Sequence, residues 1–525
     1  MKVIRSKFAY IGLIVVITVL VFSGIRNTFY QQDEWHGYGV FLIKGSGIVL
    51  DNVKNVFDLF FARGRMLNNV LLYLLYSFDL LGVRLFSIFA VTFHALNAAL
   101  LYLLVRRIVR SNLAAFLGSL YFAFNALSQN AVVWMAAATS NLPSTTLILL
   151  SIFSFYEHLK TNRKKWILIT FSLTYLSLFF KEQGIFLFLL YPLAGLIFKK
   201  QTIGKFAKSF WYFVLFVVAL SVYRVSQIVF GSTSNSLLVS SSDQAYWFVL
   251  LKRAVIYPTT SFSLSFLPPE PMIAFARAMT NIFYPSVAVS QFVLFSQTVV
   301  LEQISLVLAA AMFAILYFLY TKLQKEERKW LLFFVVFMLM SFLPYIVLSK
   351  NFAYLESRYY YLSSLAGGVI LAFVIKKIRI ISYLLVGALI FWHLGYVQQE
   401  IKFQIDIAQI RKDIISQISE YENKLSDKNI FIVSSDEDFY ALGNKLPFQQ
   451  GTGYTLMAIF YESGKIPSEL LENQFLFEIG SQGYQEVGEL GFGFYHDEKQ
   501  MQQELNNNFE VNIIDLSPVT QINVN

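Results

Sequence analysis

There is no cysteine anywhere in this chain, which excludes disulfides, thiolate catalysis and Cys-built metal sites. Histidine is scarce, at five residues, and no pair has the H-E-x-x-H spacing of a zincin. Charge is thin as well: Asp, Glu, Lys and Arg make up 14% of the residues, against roughly 25% in a soluble domain. A glycine-rich phosphate loop is missing; "GTGYTLM" (451–457) has neither the Lys nor the spacing of one. No cofactor is therefore expected and no metal site is assigned, with a divalent ion left open.

What fills the chain instead is apolar and aromatic surface. Over its 525 residues it is 56% hydrophobic, with 53 Phe and 30 Tyr and a mean hydropathy of +0.55. That composition is of an integral membrane protein whose main partner is the lipid bilayer. Charge divides the chain. Residues 1–396 hold 34 Lys/Arg and 13 Asp/Glu, whereas residues 397–525 hold 8 and 20. The basic excess is cut into clusters between apolar runs, so it is not a nucleic-acid footprint.

A spanning helix needs about 20 apolar residues. Eleven candidates follow: 8–25, 85–105, 113–129, 141–158, 166–181, 184–198, 209–229, 299–320, 330–348, 361–375 and 380–396. Residues 8–25 lack a clear cleavage site and read as an anchor. The basic clusters at Lys2–Lys7, Arg106–Arg110, Lys160–Lys165, Lys199–Lys208, Lys322–Lys329 and Lys376–Arg379 then share one side, the cytoplasm by the positive-inside rule. Both the first loop (26–84) and the C-terminal region lie on the other side. Keeping that register requires "MLNNVLLYLLYSFDLLG" (66–82) to lie in the outer interface, with Asn68, Asn69, Ser77 and Asp79 toward water. A second interfacial helix is expected near Tyr246–Tyr257. Past 396, helical spacing over 397–425 and strand-like runs at 429–436 and 509–516 predict a small acidic α/β domain outside the membrane. The fold class is thus mainly α and polytopic, with that domain at 397–525.

Polar groups near the bilayer are costly and tend to be functional. Asp33 and Glu34, in "FYQQDEWHGYGV", read either as a hydrated loop end or as a general base tuned by a like-charged neighbour. Lys181 and Glu182, in "FFKEQGIFLF", form either an internally paired hairpin cap or a functional pair. Arg358, in "AYLESRYYYLSS", stands beside three tyrosines and could hold a lipid phosphate or only anchor the interface; Glu356 fits anchoring poorly. Arg63 and Arg65, in "FARGRM", suit a phosphate or lipid headgroups. His94 and Asn97 lie within a span and read as structural bonds between helices. His36 has no apparent second ligand for a metal.

Five stretches in order carry a resemblance: "QQDEWHGYG"; "GRMLNNVLLYLLYSFDLLGVRLFSIFAVTFHALNAALLYLLVRRI"; "LGSLYFAFNALSQNAVVWMAAATSNL"; "LSLFFKEQGIFLFLLYPL"; and "LESRYYYLSSLAGG". Residues 26–198 and 340–375 resemble the GT-C class of polytopic glycosyltransferases. Within it they are most similar to the protein O-mannosyltransferase-like group that includes the transmembrane and tetratricopeptide-repeat proteins. The resemblance implies a bundle of about eleven spans and inverting transfer of a sugar from a polyprenyl-phosphate donor to an extracytoplasmic acceptor. It implies Asp33 as catalytic base, with Glu34 as the alternative, Glu182 as an acid shaping the site, and Arg358 facing the donor phosphate. Arg65, Arg63 and Lys181 join the phosphate side; Glu356, Tyr361, Trp35 and His36 are pocket candidates. The chain departs from the family at Arg65-Met66, where Arg-Pro is frequent, at Asn125-Ala126, where His-Pro is, and at Ser363, where Pro is. No tetratricopeptide repeats follow, so a protein, a lipid-linked glycan or a cell-surface polymer all remain acceptors. The competing reading is a non-catalytic scaffold or a lipid-glycan transporter. A transporter should show inverted repeats and charged, broken helices at the midplane, and neither is visible in the sequence.

Overall fold

The computed structural model describes residues 2–30, 34, 37, 41, 45–47, 49, 65–78, 83–127, 129–199, 246–346, 357–378, 380–420 and five short strands between 429 and 515. The molecule is a helical membrane protein. Among the described residues seven helical stretches are long and apolar enough to cross a bilayer: Phe8–Asn27, Val83–Val109, Met135–Thr161, Gln291–Lys322, Lys325–Tyr345, Arg358–Ile378 and Ile380–Asp413.

The expected eleven are corrected as follows. The segment predicted at 113–129 is the helix Asn112–Ala123, 12 residues long. It starts where Ser111 accepts a hydrogen bond from the Ala114 amide (3.3 Å) and stops before the polar turn at Asn125. The segment at 166–181 is Lys164–Leu178, 15 residues. That at 184–198 opens as a 3-10 turn and becomes Leu187–Lys199. At 1.5 Å per residue these helices run about 18–23 Å, short of a ~30 Å hydrocarbon core. The candidate at 209–229 lies outside the described residues.

In chain order the helices are α1 (Lys2–Phe22), α2 (Met66–Phe78), α3 (Val83–Val109), α4 (Asn112–Ala123), α5 (Met135–Thr161), α6 (Lys164–Leu178), α7 (Leu187–Lys199), α8 (Tyr246–Leu264), α9 (Pro269–Phe283), α10 (Val289–Phe295), α11 (Leu301–Lys322), α12 (Lys325–Met340), α13 (Tyr361–Ile378) and α14 (Ile380–Glu420). A π-turn at Ser296–Val300 joins α10 to α11. Position in the bundle follows burial. The most apolar windows of α5 and of the α13 span are 72% buried, that of α3 is 61%, and those of α1, α10–α11 and α14 are 22–28%. The outer helices present Leu20, Val307, Phe318, Leu384 and Phe391 outward. A helix that is apolar all round but half uncovered is facing lipid.

Two devices hold the centre. Gly118 of α4 and Gly368 of α13 meet backbone to backbone: a methyl group on either would run into the other's carbonyl oxygen. Apolar residues add little helix–helix attraction in lipid, so such close approach supplies the packing. The second device is a buried polar network. His94 Nε2 lies 2.9 Å from the Ala123 carbonyl, which can only accept, so Nδ1 carries no proton and accepts from the Tyr361 hydroxyl at 2.8 Å. Tyr361 accepts in turn from Asn97 Nδ2 (3.3 Å), which also donates to the Leu142 carbonyl (3.0 Å). Thr146 closes the set by donating to Asn97 Oδ1 (2.7 Å). Helices α3, α5 and α13 are thereby tied, the role expected for His94 and Asn97. Tyr361, expected in a substrate pocket, is fully buried in this network instead; its hydroxyl is used up between helices.

Helices α2 and α8 depart from the interfacial expectations. Asn68, expected in water, is buried, and its amide N–H donates to the Phe179 carbonyl (3.3 Å). Ser77 is exposed as expected, and Asp79 lies outside the described residues. Helix α8 runs past Tyr257 into the core, where Phe262 and Leu264 are fully buried. Just beyond it, the Ser265 carbonyl accepts from Tyr121 (2.6 Å) and Asn125 (3.1 Å), and its hydroxyl donates to Ser363 (3.0 Å). Two of the three departures from the family pattern, Asn125 and Ser363, therefore share one hydrogen-bonded cluster.

Helix α14 is continuous for 41 residues, about 62 Å. The predicted span 380–396 and the predicted amphipathic stretch from 397 are one helix that outruns the bilayer. Beyond it the described strands are β1 (Asn429–Ser434), β2 (Phe477–Gly480), β3 (Gly483–Glu486), β4 (Gly491–Tyr495) and β5 (Glu510–Asp515). Strand β1 lies between β4 and β5, parallel to both, and β2–β3 is an antiparallel pair. Parallel neighbours need crossover connections; none of helical type is among the described residues.

Candidate functional site

The site is built around the N-terminal end of α5 and the turn between α6 and α7. In that turn Ser177 O accepts from the amides of Phe180 (3.2 Å) and Lys181 (3.1 Å), ending α6. Gly184 makes the tight return possible: a Cβ there would lie 2.7 Å from Ser177 Oγ and 3.2 Å from Ile148. The backbone at Lys181 is extended, which sends its side chain inward. Lys181 is 7% exposed. Its Nζ donates to Asn141 Oδ1 at 2.7 Å and lies 5.6 Å from the centre of the Tyr359 ring. Asn141 is held for this task because its own Nδ2 donates to the Ala137 carbonyl (2.7 Å) one turn back.

Glu182, the next residue, turns the other way and meets Arg65. The guanidinium grips the carboxylate as a fork, Nε to Oε2 at 2.9 Å and Nη2 to Oε1 at 2.8 Å. The pair is open, with side-chain exposures of 44% and 42%, so it stands at a mouth rather than in the core. Arg65 adopts a left-handed backbone (φ 50°). A non-glycine residue pays for that conformation, and such strain concentrates at functional positions.

Arg358 completes the cluster. Its guanidinium lies over the Trp134 ring at 4.3 Å and the Tyr359 ring at 5.2 Å. Tyr359 in turn packs on Tyr345 with ring centres 4.3 Å apart. Trp134 is extended and separates a single helical turn (Asn130–Val133) from α5. Arg65, Lys181 and Arg358 thus converge on one place together with the carboxylate Glu182. The lysine registers its two cationic neighbours. Burial first, then Arg65 and Arg358, lower its pKa well below the ordinary lysine value, and Glu182 opposes them only in part. A cation so placed gains from any anion that enters.

Two residues past Trp134, the start of α5 holds Glu34, which is 1% exposed. Its Oε1 accepts from the Ala136 amide at 2.7 Å, so the carboxylate caps the positive end of α5. Its backbone carbonyl accepts from the Tyr76 hydroxyl (3.0 Å), and Arg411, far along α14, attracts it electrostatically. The structure therefore brings Arg65, Lys181, Glu182 and Arg358 together and holds Glu34 at the start of α5, on the amide two residues past Trp134. Asp33, Trp35, His36, Arg63 and Glu356 lie outside the described residues. Among the described residues no group of three or more His, Asp and Glu could hold a metal.

Three contributors escaped sequence reasoning. Asn141 could have been found as a polar residue next to Ser140 inside an apolar run. Arg411 could have been found because it sits among the buried Ile407, Ala408 and Ile410 of its helix. Trp134 carries no sequence signal beyond being aromatic. No family model matches this chain, and no curated protein matches it.

Proposed function

We propose that the protein is a GT-C-type membrane glycosyltransferase that takes a sugar from a polyprenyl-phosphate donor and transfers it, with inversion, to an extracytoplasmic acceptor. One observation carries this reading: Arg65, Lys181 and Arg358 converge with Glu182 at the open edge of an aromatic-lined bundle, which concentrates positive charge at that edge. A phosphate leaving group needs positive charge where negative charge builds up. Arg358, held flat on Trp134, and buried Lys181 take the phosphate, and Arg65 shares its charge between it and Glu182. In the transfer step the acceptor oxygen bonds to the anomeric carbon as the bond from that carbon to the phosphate oxygen breaks. The acceptor's proton passes to Asp33, and polyprenyl phosphate leaves as the anion. Glu34, already committed to the Ala136 amide, ties its stretch of the first loop to the start of α5. The basic residues at the other end of the bundle, among them Arg110, Lys160, Lys325 and Lys376, mark that end as cytoplasmic by the positive-inside rule, which leaves this end outside, and residues 397–525 present the acceptor.

The test uses full-length protein in vesicles with a panel of radiolabelled polyprenyl-phosphate sugars, scoring which label leaves the lipid. Wild type should release one label, and Asp33→Asn should bind that lipid without releasing it. Release at the parent rate by Asp33→Asn would remove its role as base. The second reading, a non-catalytic body that binds such a lipid, is favoured by the buried, capped state of Glu34. It predicts retention of a lipid by wild type with no label released from any member of the panel.

A further inference from the structure

The opposite end of the same helices carries a second charged cavity. Helix α5 runs 27 residues from Met135 to Thr161, about 40 Å, and α13 runs from beside Arg358 to Lys376, so this cavity stands a membrane's thickness from the first site. Its volume is about 430 Å³, within the range of ligand pockets, and its rim draws on the ends of α3, α5, α7, α12 and α13.

Its charges are of two kinds. One set is already neutralised. Arg107 bonds Glu157 at 2.6 Å, Lys329 bonds Glu326 at 2.6 Å, and Glu327 is held by Lys376 and Lys377. Both acids lining the cavity are thereby taken by lysines. The other set is Arg110, Lys160 and Lys325, which also line the cavity and have no carboxylate partner among the described residues. All three are exposed. Arg110 also stands in the left-handed region (φ 58°) just past the last residue of α3, a place that usually goes to glycine or asparagine. The remaining wall is aromatic: Trp330 packs on Phe198 (4.7 Å between rings) and on Tyr156 (5.7 Å).

We propose that this cavity is a binding site for the phosphate of an anionic phospholipid headgroup, gripped by Arg110, Lys160 and Lys325. A basic pocket among helix ends with an aromatic wall matches a lipid that offers phosphate at the rim and glycerol or acyl carbon inward. The same phosphate chemistry could also arrive on a soluble ion. The site is independent of the transferase reading and needs no catalysis.

The measurement is native mass spectrometry of the full chain from micelles containing phosphatidylglycerol and phosphatidylcholine, with and without inorganic pyrophosphate. Wild type should retain phosphatidylglycerol preferentially, and R110Q/K160Q/K325Q should lose that preference roughly a hundredfold. R163Q/K164Q/K165Q, which removes as much charge from the neighbouring surface, should keep it. Retention that millimolar pyrophosphate does not displace identifies the lipid as the source. Displacement, with pyrophosphate bound to wild type and not to the triple variant, keeps the phosphate site and reassigns its source to a soluble ion. Equal retention by wild type and the cavity variant, or equal loss in both triple variants, overturns the proposal. If the cavity triple variant fails to fold, the single replacements K160Q and K325Q decide, because each should weaken retention while R163Q should not.

Discussion

Two polar clusters lie close together, both reaching α5 and the start of α13, and behave in opposite ways. The Tyr361 network is closed. Each of its donors meets an acceptor, from Thr146 through Asn97 and Tyr361 to His94 and the Ala123 carbonyl. The Lys181 cluster, three residues along the chain from Tyr361 at its Arg358 end, is open: Arg65, Lys181 and Arg358 converge with Glu182 where Arg65 and Glu182 reach the surface. A satisfied network fixes helices and has nothing left to offer a ligand. Ionised groups that reach the surface can still take up a charged ligand. Polarity is common to both clusters, so the difference between glue and site is charge and access.

The sharpest way to break that distinction is at Arg358. If the open cluster holds a phosphate, Arg358→Gln should lower sugar transfer by roughly 10²–10³-fold, the scale seen when one transition-state donor is removed. Its thermal midpoint should stay near that of wild type. An unfolded variant, or unaltered transfer, would count against the division. Next in size is the backbone contact at the centre. Gly118→Ala forces a methyl against Gly368 and should cost about 1–3 kcal/mol, read as a lower unfolding temperature in detergent. Full retention of stability would mean that α4 and α13 are not held by this approach.

Tyr361→Phe removes one hydroxyl from the closed network and strands His94 Nδ1. The expected cost is about 1–3 kcal/mol, with donor affinity unchanged in what still folds. A selective loss of donor binding would instead return Tyr361 to the pocket. The smallest effect is one of pH. The folded-state pKa of Lys181 is lowered, so the folded chain gives up this proton more readily than the unfolded one. Stability should therefore rise with pH from that lowered pKa up to the ordinary lysine value near 10.5 and stay flat below it. Lys181→Met should lack the rise. Comparing the unfolding midpoints of the two proteins across pH tests this, and parallel curves would show that the lysine is not under the strain inferred for it.

Much of this was legible in the chain. Scarce charge and long apolar runs announced a helical membrane body because lipid forces backbone groups to bond within helices. Lys181, Glu182, Arg65 and Arg358 stood out because ionised groups beside apolar runs are expensive. Helix lengths were less legible. Apolar composition continues through 124–129 and 179–181, whereas the helices stop at polar turns, so three expected spans are shorter than a bilayer. Tyr361 was misread for a related reason. "RYYYLSS" presents three tyrosines in a row, and only their angular positions decide which faces Arg358 and which faces His94.

By itself the sequence determined that this protein lives in a bilayer and which ionised residues could afford to be there, because both follow from transfer energies that are local to a residue and its neighbours. The pairing of Arg65 with Glu182 across 117 positions, the seat of Arg358 on Trp134, and the sorting of buried polar groups into a closed network and an open one were decided only by the tertiary structure. Charge balance at a point in space is a sum over distant segments, and no stretch of chain contains it.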